Sequence, residues 1–573
     1  MQNNDIAYIF EEMADMLEIL GDDFYKVRAY RKAALSIKEQ AQPLENIYNG
    51  KADIFKDIPG VGEQIARKIE EIVTTGKLKR HDNLLEKVTP EILEMLKITG
   101  VGPKHVKIIK EKLKVKNIND LKIACLSDKV MNLEGFGEKS QNNILASIKE
   151  YKKLDKRLNL KDADDLAKSI IDYLRNSKIK IDYLEVAGSL RRGQETIGDI
   201  DILVSSKEVD ELKNYFLRFK HFKTVIASGP TKISVITEND IQIDLRLVDD
   251  SSFASAWIYF TGSQNHNVHL RKIAKFKKLK LNEYGIFKND IAIATKSEKD
   301  VYKILDLTYI PPELREDSGE IEASEIGKLP NLIEYKDLKG DLHIHTKASD
   351  GRSSIIEMVE AAREANLEYI AITEHSKAVK VANGLNEKQL WNHLKKIDQV
   401  QKKVKGLRIL KGVEVDIEKD GILDLDDFIL KELDIVIAAI HFRYDLSKQE
   451  MTQRILRAMD NKYVNIIAHP TGRLIAQRNP YELDFEIIFN ETRKRNVAME
   501  LNSAYDKLDL NDINCRMAKN ANIKIVINSD SHSREGLKSL KYGIITARRG
   551  WLEAEDVLNT LKVESFLKSI KRR

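Results

Sequence analysis

Three aspartates in the first half of the chain have the spacing expected of ligands for divalent metal ions. Asp199 and Asp201 lie in the run GDIDILV, and residues two apart on a strand point to the same face. A second run, IQIDLRLV (241–248), alternates apolar and polar residues and puts Asp244 on its polar side. If the two strands are neighbours, three carboxylates meet, and they stay ionised only where cations compensate their repulsion. Such oxygen ligands suit a pair of Mg²⁺ ions, which favours attack of a hydroxyl group on a phosphate.

Residues that could hold a phosphate precede these aspartates. A lone Asp-x-Asp is commonly no more than a pair of solvated acids on a strand, and that alternative applies here too. However, Gly188 and Ser189 lie about ten residues upstream of Asp199, and backbone N–H groups in such a turn can hold a triphosphate. Arg192 can pair with phosphate oxygens. The combination favours nucleotide chemistry.

In the C-terminal part of the chain, nearly every apolar run ends in a residue that can bind a metal ion. These residues are His343, His345, His375, Glu414, His441, His469, Asp530 and His532. In a βα barrel all strands end on one face, so these side chains would converge there. A single histidine at a strand end is more often a core residue, but repetition on almost every strand favours a metal centre. Imidazole and carboxylate ligands together suit zinc, manganese or iron, and several close ions indicate phosphate-ester hydrolysis.

Short glycine-containing turns repeat in the N-terminal region, as IPGVGEQIARKI (58–69), ITGVGPKHVKII (98–109) and, more loosely, LEGFGEKSQNNIL (133–145). The pairs Gly60 with Gly62 and Gly100 with Gly102 permit tight turns and close approach of the backbone to a ligand. The first N–H groups of the following helix can then hold a DNA phosphate without reading sequence. One copy could be an ordinary helix corner, but two close copies favour a grip on DNA.

Other elements must position these residues. Residues up to about 150 show helical spacing throughout, and strand-like runs begin near 180. The basic stretch RKIAKFKKLK (271–280) predicts a helix with a basic face, alternatively a plain solvated one. The polar segment 311–330 predicts a linker, and from 340 onward strands and helices alternate as in parallel βα units.

Composition excludes several protein classes. The 573 residues are 42% hydrophobic and 32% charged, with a formal net charge of +5, as in a globular protein that could bind nucleic acid. The two cysteines, Cys125 and Cys515, argue against a disulfide framework or a thiolate zinc site. No apolar run is long enough to span a membrane, so we expect a cytoplasmic protein.

The motif formed by Gly188-Ser189, Arg192 and Gly198-Asp199-Ile200-Asp201 resembles the nucleotidyltransferase signature of family X DNA polymerases such as DNA polymerase beta. The segment YFTGSQNHNVHLR (259–271) resembles the thumb motif of that family. The resemblance implies that the incoming nucleotide is bound by Ser189, Arg192, Gly198, Tyr259, Phe260, Asn267 and Arg271, with Arg157 as a further phosphate contact. Tyr259 and Phe260 would line the sugar pocket. Gln242 and Gln264 depart from DNA polymerase beta, which has arginine and aspartate there.

The same resemblance implies functions for the helical region. Lys68, by itself a solvated helix residue, matches the lysine that forms a Schiff base with 5′-deoxyribose phosphate, and Lys26, Tyr30 and Arg31 match its phosphate pocket. Tyr25 replaces a histidine of that pocket. The hairpin backbone would also bind Na⁺ or K⁺ beside DNA, through Lys56, Ile58, Val61, Leu96, Ile98 and Val101.

The C-terminal pattern is similar to the polymerase and histidinol phosphatase (PHP) domain, a distorted seven-stranded barrel that holds up to three Mn²⁺ or Zn²⁺ ions. Asp350 joins the ligand set through this resemblance, and no ligand of the family motif is missing. In bacterial and archaeal family X polymerases this domain carries out 3′–5′ exonuclease cleavage and incision at abasic sites, usually with Mn²⁺.

We therefore expect a multidomain α/β protein and a monomeric gap-filling polymerase of base-excision repair. Its palm would use Mg²⁺ or Mn²⁺ with gapped or primed DNA and deoxynucleoside triphosphates. The expected regions are a lyase-like helical domain (1–85), a fingers-like helical domain (86–155), a palm (156–250), a thumb (251–315), a linker (316–338) and the PHP barrel (339–573). Two rivals are a non-catalytic scaffold for DNA ends and a small-molecule phosphatase with a DNA-binding tether.

Overall fold

The structure is a computed structural model that describes residues 3–38, 44–48, 50–58, 60–98, 100–154 and 157–571. The boundary expected at residues 155–156 and the hairpin residues Pro59 and Thr99 lie outside this range. Two compact units divide the described chain: the N-terminal helices with residues 379–384 form one, and the remainder forms the other.

The first unit is helical, as predicted. Its helices are α1 (Asn3–Leu20), α2 (Phe24–Lys38), α3 (Leu44–Ile47), α4 (Glu63–Thr75), α5 (Lys79–Leu85), α6 (Pro90–Glu94), α7 (Pro103–Leu113), α8 (Ile118–Leu126) and α9 (Glu138–Leu154). On α1, residues Ile6, Phe10, Met13 and Leu17 recur at helical spacing and are buried in the core of this unit. Short 3₁₀ helices, Ala52–Asp57 and Met95–Lys97, lead into the two close hairpins.

The palm region contains a sheet of mixed direction. Its elements are β1 (Leu158–Asn159), α10 (Leu160–Arg175), β2 (Ile181–Val186), α11 (Gly188–Arg191), β3 (Thr196–Ile197), β4 (Asp199–Ser206), α12 (Val209–Phe216), β5 (Phe222–Ser228), β6 (Lys232–Thr237) and β7 (Gln242–Leu247). The strand order is β2-β4-β7-β6-β5, with β4 and β7 parallel. The strands predicted from the sequence are therefore confirmed, including the neighbouring pair that carries the three aspartates.

The thumb region follows. Its elements are α13 (Phe253–Thr261), α14 (Gln264–Phe276), β8 (Lys280–Asn282), β9 (Gly285–Lys288), β10 (Ile291–Ile293) and α15 (Glu298–Ile304). The helix predicted over 271–280 was too long, because α14 ends at Phe276 and Lys280 begins β8. Leu279 and Leu281 alternate with lysines at the two-residue period of a strand, and this local pattern overrides the helical one. Lys272, Lys275 and Lys278 are exposed, as expected of a basic surface.

The segment expected to be a linker is folded onto the thumb. It contains α16 (Glu320–Glu325), and Glu320 is fully buried within hydrogen-bond distance of the ring of His266. Ile321 belongs to the apolar core of the thumb. Polar composition predicted a linker, whereas Glu320 is paired with His266 in the interior.

In the described C-terminal region, seven parallel strands form the barrel in sequential order, as predicted. They are β11 (Gly340–Ile344), β12 (Tyr369–Ile372), β13 (Arg408–Asp416), β14 (Ile435–Ala439), β15 (Ile466–Ile467), β16 (Ala498–Asn502) and β17 (Ile525–Asn528). A parallel bridge between Ile344 and Ser531 brings the last strand next to the first, so the sheet is nearly closed.

Helices surround the barrel on its outside. They are α17 (Ile355–Glu364), α18 (Glu387–Gln401), α19 (Asp427–Leu430), α20 (Lys448–Asp460), α21 (Phe485–Arg495), α22 (Asp512–Asn520), α23 (Leu540–Arg549) and α24 (Val563–Ser569). Leu508 and Tyr542 of the barrel region are buried in the same apolar cluster as Leu160 and Ile200 of the palm. Palm and barrel thus share hydrophobic packing. Within the described residues, no helix combines the length and apolarity that crossing a bilayer would need.

Candidate active sites

The register of two palm strands brings the three predicted aspartates to one face. Asp201 lies opposite Asp244 on the parallel strands β4 and β7, and Asp199 lies opposite Gln242. Arg246 donates a hydrogen bond to Asp201 Oδ1 at 3.1 Å and lies 3.5 Å from Asp244 Oδ2. Since one guanidinium contacts both carboxylates, Asp244 faces Asp201 as the alternation predicted.

Cationic side chains compensate these carboxylates. Burial raises the pKa of Asp201 to about 6, and the charges of Asp199 and Asp244 add to this against the pull of Arg246. Burial would also raise the pKa of Asp244, but hydrogen bonds from Lys232, Ser234 and Gln242 lower it. The donor set and its shared face fit divalent cations. In the described chain, however, the three acids are not among the groups whose ligand atoms all lie within 4.8 Å of one another. Lys232 pairs with Asp244, and Arg246 pairs with Asp201.

The predicted phosphate loop lies directly beside these acids. Gly188 adopts a φ of +65°, and a Cβ atom there would come within 2.7 Å of Asp201 Oδ2. Glycine is therefore required for the approach of the loop to the acid cluster. Ser189 lies in the first turn of α11, and Arg192 follows the end of this helix and donates to the backbone oxygen of Thr261 at 2.5 Å.

Gly198 and the predicted sugar-pocket residues surround the same region. A Cβ at Gly198 would lie 2.8 Å from the guanidinium of Arg157, which itself donates to Thr196. The ring of Phe260 lies 4.1 Å from the Arg246 guanidinium and packs edge-on against Tyr259. Asn267 donates to the Tyr259 backbone oxygen at 2.7 Å. Arg271 lies exposed further along α14.

In the barrel, all the predicted ligands lie at or just beyond the carboxyl ends of strands. Glu414 is central: its carboxylate lies within 3.6 Å of the nearest ring nitrogens of five histidines, which are His343, His345, His375, His441 and His469. Asp350 approaches His375 and His532 at 3.5 and 3.2 Å. The strand ends therefore converge as the barrel geometry predicted.

Three groups in the described chain have ligand atoms within 4.8 Å of one another. They are His345, Asp350, His375 and His532; His343, His345 and Asp530; and His375, Glu414 and His441. His469 lies outside these groups but is 3.0 Å from Glu414 Oε1. Shared ligands between neighbouring groups are the arrangement expected of a multinuclear site.

The buried nitrogen atoms of this centre fit metal ions. Both ring nitrogens of His345, Nε2 of His343 and Nδ1 of His441 are buried without a hydrogen bond. Burial and the neighbouring rings of His375 and His532 lower the pKa of His345 to about 4, so this ring keeps its lone pair at neutral pH. Buried polar atoms of this kind are costly unless a ligand satisfies them.

Comparisons with known proteins agree with this geometry. The matching family models are a helix-hairpin-helix domain (residues 1–78), a SAM-like helix-hairpin-helix tandem (92–150), the DNA polymerase beta palm (157–250), the DNA polymerase beta thumb (256–316) and a PHP domain (341–504). The chain is 39% identical over 575 residues to the DNA polymerase/3′-5′ exonuclease PolX of Bacillus subtilis, which covers 99% of this chain and 100% of that protein. The chain belongs to the family X DNA polymerases that carry a PHP domain.

Shorter relatives also match this family X polymerase. A probable phosphatase of Thermoanaerobacter sp. (strain X514) is 30% identical over 246 residues, covering 41% of this chain and 96% of the relative. A probable phosphatase of Clostridium novyi (strain NT) is 31% identical over 203 residues, covering 34% and 78% respectively.

The sequence did not reveal a buried ion network next to the turn at Gly188 and Ser189 of this polymerase. Glu298 accepts hydrogen bonds from Arg191 at 2.7 Å and from the fully buried Arg315 at 2.8 Å. The Arg191 guanidinium also lies 3.4 Å from the ring of Trp257. The doubled arginine of the motif GSLRRG was the available signal, since only its second member was assigned a function.

Two missed residues support the barrel centre. Glu500, in the middle of β16, lies 2.7 Å from His343 Nδ1 and accepts the backbone N–H of His469 at 2.8 Å. Lys507 pairs with Asp530. Glu500 follows the apolar run VAM in the sequence, but nothing in the sequence shows which ring it orients.

In the helical unit, the structure brings together most of the predicted lyase pocket. The Lys68 amine lies 5.9 Å from the centre of the Tyr30 ring. Burial, then the charges of Arg80 and of Lys26, lower the pKa of Lys68, so Arg80 is a pocket residue that the sequence did not reveal. Arg31 pairs with Asp15 and Glu18, and its contact with a DNA phosphate stays a prediction.

The two hairpins of the helical unit have matching backbones. Gly60 and Gly100 adopt φ values of +84° and +88°, which only glycine takes without strain. Gly62 and Gly102 precede α4 and α7 without a side-chain cap, and a Cβ on either would meet no atom within 4 Å. Both helix starts are therefore open to an approaching phosphate.

The predicted monovalent-cation residues lie at these same turns. Val61 and Val101 donate their backbone N–H groups to the oxygens of Ile58 and Ile98, at 3.0 and 2.9 Å. Lys56 and Leu96 lie in the 3₁₀ helices just before. Cation binding by these carbonyl groups stays a prediction.

Proposed function

We propose that this monomeric polymerase fills short gaps during base-excision repair, and that its barrel trims 3′ ends and incises at abasic sites. The observation that carries the proposal is the presence of two separate acid clusters in one compact unit, each beside groups suited to phosphate. One lies on the palm sheet next to Gly188, and the other at the strand ends of the barrel.

In the palm, we infer that Asp199, Asp201 and Asp244 hold Mg²⁺ or Mn²⁺, which when bound supplies the charge needed for nucleotidyl transfer. Lys232 and Arg246 now compensate these carboxylates and would have to release them on metal binding. The turn at Gly188 and Ser189, with Arg192, would orient the triphosphate. Phe260 and Tyr259 would close the sugar pocket, and Asn267 would contact the base.

In the barrel, we infer that the three ligand groups hold up to three Mn²⁺ or Zn²⁺ ions, which when bound supply the Lewis acidity for phosphodiester hydrolysis. Glu500 holds the ring of His343 in one orientation, and such outer contacts fix the ligating nitrogen. The open hairpins, with Na⁺ or K⁺ at their carbonyl groups, would hold the DNA backbone.

Single substitutions should separate the two chemistries. Asp199→Ala is expected to abolish primer extension on gapped DNA with Mg²⁺ and to leave 3′ degradation with Mn²⁺ intact. His343→Ala should do the reverse, and Asp182→Ala, on the exposed side of β2, should leave both activities unchanged. Loss of both activities in either single variant, with its melting temperature retained, would contradict the two-site proposal.

Lys68 also supports a 5′-deoxyribose-phosphate lyase activity. A lysine whose pKa is lowered has a larger fraction of free amine, which is the form that attacks a sugar aldehyde. Borohydride trapping on 5′-incised abasic DNA should be lost in Lys68→Ala and kept in Lys77→Ala, an exposed lysine near the end of α4. Trapping in wild type should rise with pH and reach half its maximum below the ordinary lysine pKa of about 10.4. Undiminished trapping in Lys68→Ala would remove this activity from the proposal.

The probable phosphatases among the relatives favour one rival, in which the barrel acts on small phosphate esters. Phosphate release from histidinol phosphate and nucleotide release from DNA can be compared at equal enzyme and Mn²⁺ concentrations. A clear preference for histidinol phosphate would replace the exonuclease proposal for the barrel.

A further inference from the structure

Arg192, next to the acid cluster of the palm, is held at two points. Its Nε donates to Glu316 Oε1 at 3.0 Å, and its Nη1 donates to the backbone oxygen of Thr261 at 2.5 Å. The remaining amino group, Nη2, makes no hydrogen bond to the described part of the chain. Because the guanidinium is planar, holding Nε and Nη1 fixes its orientation and presents Nη2 in a defined direction.

Glu316 is itself held by a residue from the barrel. Arg549, at the end of α23, donates to Glu316 Oε1 at 3.0 Å and to the backbone oxygen of Arg192 at 2.8 Å. Its other edge donates to Asp512 at 2.7 and 2.9 Å, and its side chain is 7% exposed. Gln194 adds a 2.6 Å hydrogen bond to Glu316. Charges therefore alternate along a partly buried series of side chains from the barrel to Arg192.

The backbone just after Arg192 also contacts the barrel. Gly193 adopts a φ of +66°, and a Cβ there would lie 2.1 Å from Ile545 Cγ2. Ile545 lies on α23, one turn before Arg549. The same helix thus contacts both the backbone after Arg192 and the carboxylate that holds its side chain.

We infer that Glu316 and Arg549 are positioning residues for Arg192, so that the barrel helps to form the nucleotide site of the polymerase. The inference rests on the proposed function of Arg192 in triphosphate binding. An unrestrained arginine loses several rotatable bonds of freedom on binding phosphate, whereas a held one does not. Loss of the link should therefore weaken nucleotide binding and leave the chemical step intact.

The test is steady-state primer extension by the full-length chain over a range of deoxynucleotide concentrations. Glu316→Ala and Arg549→Ala should each raise KM about tenfold, the effect of about one hydrogen bond to a charged group, and change kcat less than about twofold. Glu316→Gln keeps an acceptor oxygen and should fall between Glu316→Ala and wild type. Exonuclease activity and melting temperature should stay at wild-type values, which excludes simple misfolding.

The matched control is Arg548→Ala. Arg548 lies beside Arg549 and pairs with Glu313 at 2.7 Å, so its loss removes an ion pair on the same helix without touching Arg192. The nucleotide KM of Arg548→Ala should be unchanged. A rise in KM equal to that of Arg549→Ala would overturn the inference, because it would show a general effect of contacts between α23 and the rest of the polymerase. The double variant Glu316→Ala/Arg549→Ala should raise KM no more than the larger single change, because both act through one link.

Arg192→Ala separates the inference from the function on which it rests. If this variant raises KM but the Glu316 and Arg549 variants do not, the positioning inference is wrong and Arg192 keeps its proposed function. If Arg192→Ala leaves KM unchanged, the proposed triphosphate contact itself fails, and the inference falls with it.

Discussion

Replacing Glu298 by glutamine should destabilise the junction of palm and thumb. Burial alone would raise the pKa of Glu298, but the charges and hydrogen bonds of Arg315 and Arg191 lower it to about 2. Relative to an ordinary glutamate pKa of 4.5, this corresponds to about 3 kcal/mol of stabilisation at neutral pH. Removing one partner of a buried ion pair generally costs about 3 to 5 kcal/mol of folding free energy. This range applies to Glu298 because its side chain is only 4% exposed.

Denaturation can be followed through Trp257, whose ring lies under Arg191. The chain has three tryptophans, so a background with Trp391→Phe and Trp551→Phe isolates this signal. In guanidinium chloride at pH 7, Glu298→Gln should lower the free energy of unfolding reported by Trp257 by about 3 kcal/mol. Asp165→Asn removes an exposed pair with Lys161 in the palm and should leave the midpoint unchanged.

The pH dependence has a definite sign. A carboxyl group whose folded pKa is depressed stabilises the fold above its unfolded pKa, and this stabilisation is lost as pH falls towards the folded value. The difference in the free energy of unfolding between wild type and Glu298→Gln should therefore stay constant from pH 8 to about 5.5 and become smaller below about pH 4.5. A difference under about 1 kcal/mol at pH 7, or one that does not narrow in acid, would refute the assigned energetics.

Further outcomes are expected elsewhere in the chain. Glu500→Ala should lower Mn²⁺ affinity and exonuclease activity about 10- to 100-fold, and calorimetric titration of the metal would detect an unchanged affinity if the reasoning fails. Gly100→Ala should lower the melting temperature, because an alanine at this position must adopt a positive backbone φ. Gly102→Ala should keep the melting temperature but weaken DNA binding in anisotropy titrations. A lower melting temperature with unchanged DNA binding would exclude a close contact between the hairpin backbone and DNA. Gly193→Ala should raise the nucleotide KM, with partial recovery on adding Ile545→Ala if their overlap is the cause.

The positions of most candidate metal ligands could be predicted because they depend on a local period, whereas Asp350 was found only through the family resemblance. Alternation along β4 and β7 fixes which side Asp201 and Asp244 face, and parallel barrel strands all end on one face. His343 and Glu414 could therefore be assigned to one site from their strand positions alone. Tight turns marked by Gly60 were equally visible, since their backbone conformation requires glycine.

What the sequence did not predict depends on packing between distant segments. The hydrogen bond from Arg549 to Arg192 joins residues 357 positions apart, and no periodicity connects them. Glu320 is buried although its segment was predicted to be a linker, because a polar side chain can be buried where it finds hydrogen-bond partners. The ion pairs of Arg31 with Asp15 and Glu18 of α1 were likewise not visible in the sequence, since no local pattern connects these residues.

The insertion of Leu508 and Tyr542 into the core of the palm has a consequence for proofreading. Two modules joined by a flexible tether could swing towards a stationary primer, but modules with a common interior cannot separate without exposing it to water. We therefore expect a mispaired 3′ end to reach the barrel centre by leaving its template, because the two modules cannot move apart to meet it. The balance between extension and removal would then be governed by how readily the DNA end melts.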